Sequence, residues 1–79
     1  MDKEYIYITF NPEILNGKPI IKGTRISVEF IMELIASGAS VDDIVKEYPH
    51  LPLDGVKEAV IYAANSVKNE VLISARITA

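Results

Sequence analysis

The chain contains no cysteine and no tryptophan, and its one histidine is His50. Without thiols there is neither a disulfide framework nor a thiolate metal site. A lone imidazole cannot assemble a zinc site, and it lacks the partners of a nucleophilic triad. His50 stands between Pro49 and Pro52, so it reads as an exposed turn residue. Basic charge is also scarce: 8 Lys and Arg face 11 Asp and Glu, for a net charge of −3. A general nucleic-acid binder would be basic. No apolar run approaches about 18 residues, the length that spans a bilayer. The start, Met-Asp-Lys-Glu-Tyr, has no basic-then-apolar leader pattern. These absences predict a cytoplasmic protein that is not an enzyme. No metal, cofactor, membrane or small-molecule substrate is expected.

Apolar residues, by contrast, are abundant. They make up 49% of the 79 residues, and mean hydropathy is positive. A single domain of this size buries only about 60% of its unfolded surface. Its core alone supplies roughly 3–5 kcal/mol. The apolar excess therefore predicts a homodimer or a stable complex with another protein.

The most informative stretch runs from Asn11 to Ser27. It carries Gly17, Gly23, Pro12 and Pro19, with Lys18, Lys22 and Arg25 and no acid between Glu13 and Glu29. This is a turn-rich β element with a positive face. Before it, residues 5–10 alternate, with Ile6, Ile8 and Phe10 on one face and Tyr5, Tyr7 and Thr9 on the other. That period predicts a half-buried strand. Asn11-Pro12 ends it, Asn16-Gly17 signals a tight turn, and Ile20-Ile21 is a second short strand. Pro19 gives that strand an edge position.

Helices follow. Ser27 is the expected N-cap. Val28, Ile31, Met32 and Ile35 keep helical spacing, Phe30 and Leu34 add a second apolar row, and Gly38 suits the exit. Ser40 and Asp43 form the pattern of a capping box. Val41, Ile44, Val45 and Tyr48 are the buried stripe of that helix, and Pro49 stops it. A third helix is expected from residue 53 or 54 to 67 or 68, with Val56, Ala59, Val60, Ala63 and Val67 inward. In the tail, Val71, Ile73, Ala75 and Ile77 alternate with Leu72, Ser74, Arg76 and Thr78. This predicts a partner-binding segment or paired strand, with a helix extension as the alternative.

Most chemical readings of these residues fail. Glu29 and Glu33 are spaced i, i+4, the spacing of a solvated helix face. Asp42, Asp43 and Glu47 suit the helix dipole and solvent. Gly17 and Gly23 bracket Lys-Pro-Ile-Ile-Lys, but Thr24 stands where a Walker loop requires lysine. The segments 41–48 and 53–67, joined by a four-residue turn, have helix-turn-helix dimensions. The outward residues of the second would be Asp54, Lys57, Glu58, Ile61, Tyr62 and Asn65. One cation against two acids makes a weak DNA-reading face. The basic cluster Lys18, Lys22 and Arg25 is the better DNA candidate, with an ordinary solvated turn as its plainer explanation.

Asn-Pro-Glu-Ile-Leu-Asn-Gly-Lys-Pro-Ile-Ile-Lys-Gly-Thr-Arg-Ile-Ser-Val closely resembles the signature of the domain of unknown function family 433. So do Ser-Gly-Ala-Ser-Val-Asp-Asp-Ile, Glu-Tyr-Pro-His-Leu and Val-Lys-Glu-Ala-Val-Ile-Tyr-Ala-Ala. Gly17, Lys18, Pro19, Gly23, Thr24 and Arg25 match its signature loop. Val56, Ala59, Tyr62 and Ala63 match its last helix. Leu53 departs from the threonine or serine that often caps that helix. The resemblance implies a homeodomain-like helix-turn-helix fold and an antitoxin of a type II toxin–antitoxin pair, often encoded beside a nuclease-like toxin of the PIN class.

The expectation is therefore an α+β single domain over residues 1–79. A β arm and hairpin (1–26) precedes a three-helix homeodomain-like helix-turn-helix bundle (27–68) and a tail (69–79). The expected function is to bind and inhibit a PIN-like nuclease, with DNA-binding transcriptional regulation as the alternative. DNA-binding candidates are Lys18, Lys22, Arg25, Lys57 and Asn65. Partner-binding candidates are Val71, Leu72, Ile73 and Ile77.

Overall fold

A computed structural model of the protein describes residues 5–78, with side chains through Val67. A two-stranded antiparallel sheet is followed by three helices: β1 Ile8–Phe10, β2 Pro19–Ile21, α1 Val28–Ala36, α2 Val41–Glu47 and α3 Leu53–Thr78. The fold is α+β, as expected. Ile8 pairs with Ile21, Thr9 with Ile20, and Phe10 with Pro19. Pro19 opens its strand, a position where its missing donor is tolerated. In a two-stranded sheet β2 is an edge strand, as Pro19 predicts, with one isolated bridge from Ile20 to Ser27 on its other side.

The connection between the strands is longer than a tight hairpin. The register places residues 11–18 between them. Asn11 Oδ1 accepts from the Glu13 N–H at 2.9 Å, and the Asn11 carbonyl accepts from Ile14 N–H at 2.9 Å. The chain then makes one turn at Leu15–Gly17. Asn16-Gly17 is thus the end of an eight-residue loop, because Asn11 has already started a turn of its own.

Each helix end has a definite cause. Ser27 Oγ accepts from Phe30 N–H at 2.9 Å and starts α1. At its exit, Gly38 N–H donates to Ile35 and Ala39 N–H to Leu34. Gly38 has φ 112°, so these are the paired bonds of a Schellman motif. In α2, the Ser40 hydroxyl and Asp43 carboxylate cap each other's backbone at 3.0 and 2.9 Å. α3 starts without a side-chain oxygen at its entry: the Pro52 carbonyl accepts from Gly55 and Val56.

Ile8, Ile21, Val28, Ile31, Ile44, Leu51, Val56 and Ala59 form the core. Gly55 lets α3 approach the sheet. A Cβ there would lie 3.0 Å from Pro52 Cγ and 3.5 Å from both Ile21 Cγ2 and Tyr7 Cδ1.

Three expectations are corrected. Val67, expected on the inner stripe of α3, is 48% exposed, because the stripe passes the end of the core there. Ile6 and Phe10 were assigned with Ile8 to the buried face, yet they are 70% and 55% exposed while Ile8 is buried. The strand is only three residues long, so its alternation does not extend to Ile6. The strand expected in the tail is helix, since α3 continues to Thr78. No glycine or proline interrupts residues 56–79. An established helix extends at the gain of one hydrogen bond per residue, which outweighs a short period-2 pattern. The side chains of Val71, Leu72, Ile73 and Ile77 lie outside the described residues.

Ile31 is fully buried. Ile31→Ala should cost about 2–5 kcal/mol, comparable with the whole stability of so small a domain, and leave the chain largely unfolded by circular dichroism. Ile31→Val should cost about 0.5–1.5 kcal/mol and stay folded. The Asp43 carboxyl is held below its usual value, first by the Ser40 backbone N–H and then by the Ser40 hydroxyl. A lowered folded pKa gives stability that is present above the unfolded value and lost as pH falls through the folded one. Asp43→Asn should therefore flatten the acid limb of a stability–pH curve below about pH 4 and leave its alkaline limb unchanged.

Candidate binding surface

Two regions hold the sequence-predicted residues: the loops of the hairpin and the outer side of α3. In the hairpin, residues 21–24 form a turn closed by Thr24 N–H donating to the Ile21 carbonyl at 3.0 Å. Gly23, at its third position, has φ 80°. This is the type II arrangement, which requires glycine there. The Thr24 hydroxyl donates to the Ile21 carbonyl at 2.7 Å and accepts from Ile26 N–H at 2.9 Å. Gly23 and Thr24 therefore serve to hold the turn. Lys22, its second residue, and Arg25, just after it, are exposed.

Lys18 does not join them as a third unpaired cation. Its ammonium lies 2.7 Å from Glu29 Oε1 on α1. The Glu29 hydrogen bond, then the Glu29 charge, holds the Lys18 pKa above its ordinary value, and Glu33 adds to this. The cluster is acid-free along the chain but not in space, because the start of α1 folds back beside the loop.

The loop also holds a strained residue. Leu15 has φ 51° and Asn16 φ 57°, followed by Gly17 at 81°. Asparagine and glycine accept the left-handed region readily. A leucine there costs about 1–2 kcal/mol. Its side chain is nevertheless 45% exposed. Leu15 stands over a groove of about 460 Å³ lined also by Lys18, Arg25, Ile26, Ser27, Glu29, Phe30 and Glu33. A second groove of about 500 Å³ lies on the other side of Arg25, between Phe10, Asn11 and Thr24.

On α3 the expected outward face is divided. Glu58, Tyr62 and Asn65 turn toward the N-terminal segment. Glu58 Oε2 accepts from Tyr7 N–H at 2.7 Å and from Ile8 N–H at 3.3 Å. The Tyr62 ring meets Tyr5 edge-on at 5.1 Å and Phe10 at 6.1 Å. Asn65 Nδ2 donates to the Tyr5 hydroxyl at 3.0 Å. Asn65, a DNA-binding candidate, thus has its amide engaged within the chain. Lys57 and Ile61 remain exposed. His50 is exposed and packs edge-on to Tyr48 at 6.4 Å. Among the described residues, no three His, Cys, Asp or Glu side chains could hold a metal ion, and no helix is long and apolar enough to cross a membrane.

The sequence alone did not single out Glu58, Leu15 or Gly55. The signal for Glu58 was faint: an acid flanked by the buried Val56 and Ala59.

A family model described as protein of unknown function (DUF433) matches residues 8–63. The chain belongs to this family. The matched residues hold both strands, the strained loop, the Lys18–Glu29 pair and Glu58. An uncharacterised protein, y4eO, of Sinorhizobium fredii (strain NBRC 101917 / NGR234) is 36% identical over 56 residues, which cover 71% of this chain. The match covers 25% of that protein's own length, so this chain corresponds to about a quarter of it. No solved structure matches the chain.

Removing the Glu58 carboxylate strands two backbone donors. Glu58→Ala should lower stability by about 1–3 kcal/mol, read as a shifted urea midpoint. Lys57→Ala, one position away and exposed, should leave the midpoint within about 0.5 kcal/mol.

Proposed function

We propose that this protein is a binding module of the antitoxin type, which holds and inhibits a nuclease-like partner protein without chemistry of its own. The observation that carries the reading is apolar exposure. Ile6, Phe10, Leu15, Ile61 and Val67 are each 45–70% exposed. A small domain gains by covering such surface with another protein. The net charge of −3 favours a protein partner over a polyanion. The PIN-class nuclease is proposed from the resemblance of the signature loop at Gly17–Lys18–Pro19 and Gly23–Thr24–Arg25. Inhibition would be steric or by occupation of the partner's active site. The test is growth: the product of a neighbouring nuclease-like gene, expressed alone, should arrest cells, and co-expression of this chain should restore them. Continued arrest with both proteins soluble contradicts the reading.

DNA-binding regulation is the second reading, and the exposed Lys22 and Arg25 beside the type II turn favour it. Lys18, already paired with Glu29, contributes less. Each phosphate-contacting cation removed should lower the salt slope by about one unit. In gel shifts, Lys22→Ala and Arg25→Ala should each weaken binding and flatten that slope more than Lys18→Ala does. Equal effects from all three changes contradict this ranking.

A further inference from the structure

Leu15 combines two unfavourable features. Its backbone sits at φ 51°, and almost half of its apolar side chain faces solvent. Among the described residues, none covers the rest of it. Strain kept at an exposed apolar residue points to a contact outside the chain. Around Leu15 the groove has an apolar floor, Ile26 and the half-buried Phe30, and two rims of opposite charge. Lys18 and Arg25 come from the hairpin side, and Glu29 and Glu33 from α1.

We propose that this face is the interface of a twofold homodimer, with Leu15 as its apolar anchor and Arg25 of each copy paired with Glu33 of the other. Charge complementarity selects the occupant. An isologous contact requires a surface that complements itself, and two rims of opposite sign do so when a twofold axis exchanges them. The patch has two cations and two acids, so it escapes the self-repulsion of a chain with net charge −3. The two carboxylates also disfavour a nucleic acid. Lys18 and Glu29 already pair within the chain at 2.7 Å, which among the described residues leaves Arg25 and Glu33 for the second copy. A standard interface uses about 20–30 residues a side, so the groove is the centre of a wider contact.

The proposal does not depend on the antitoxin reading.

Sedimentation velocity over a micromolar concentration series tests it. The unmodified chain should sediment at twice its 8.7 kDa mass. Arg25→Glu and Glu33→Arg should each sediment as monomers, because each places like charges opposite one another twice. An equimolar mixture of the two should restore the dimer, because both cross-pairs regain opposite signs. Leu15→Gly, which removes the apolar anchor and is tolerated at positive φ, should weaken dimerisation about tenfold or more. A monomeric unmodified chain, charge variants that remain dimeric, a mixture that stays monomeric, or Leu15→Gly without loss of dimerisation each overturns the proposal. In the first case the groove belongs to a different protein.

Discussion

The N–H groups of Tyr7 and Ile8 both end on Oε2 of Glu58, 51 and 50 residues further along the chain. An unpaired strand edge normally recruits another strand. Here a carboxylate from α3 takes the two N–H groups at the start of β1. It fixes where α3 lies against β1, and Tyr62 and Asn65, one and two turns further, then meet Tyr5 and Phe10. Gly55, one turn before Glu58, allows the approach by offering no Cβ to Pro52, Ile21 or Tyr7. A single face of α3 thus joins the first residues of the fold to its last element.

The hairpin loops depend on that arrangement from the other side. With β1 held by α3, β2 lies between β1 and the bridge to Ser27. Its buried Ile20 and Ile21 anchor both loops. One loop presents Lys22 and Arg25. The other holds Leu15 in a left-handed turn above Phe30 and places Lys18 against Glu29. Among the described residues, one side of the hairpin, the start of α1 and the Lys57–Ile61 side of α3 stay exposed beside this arrangement.

Local signals in the sequence were dependable where one physical cause acted alone. Ser27, Gly38, Ser40 and Asp43 cap helices as their identities imply, because capping is settled within a few residues. The helical spacing of Val28 and Ile31, and of Val56 and Ala59, gives their burial correctly. Features that depend on distant partners were not legible. Nothing near Glu58 in sequence indicates the two N–H groups it receives. Asn65 reads as an outward polar residue until Tyr5 is placed beside it. Lys18 reads as part of a bare basic cluster until Glu29 folds back. The tail misleads for the opposite reason: a local period-2 pattern over residues 71–78 loses to the helix arriving from residue 53. The family signature at residues 17–25 was recognisable, but the strain at Leu15 was not, since leucine carries no preference for positive φ.

The central claim is that Glu58 of α3 clasps the start of β1 by the N–H groups of Tyr7 and Ile8. Native-state hydrogen exchange of the Tyr7 and Ile8 amides in the unmodified chain tests it most directly. If Glu58 holds both, they exchange only through global unfolding, with the same protection as core amides such as Ile44 and the same denaturant dependence. If they exchange at the rate of an open strand edge while Ile44 stays protected, α3 does not clasp the strand and the account fails.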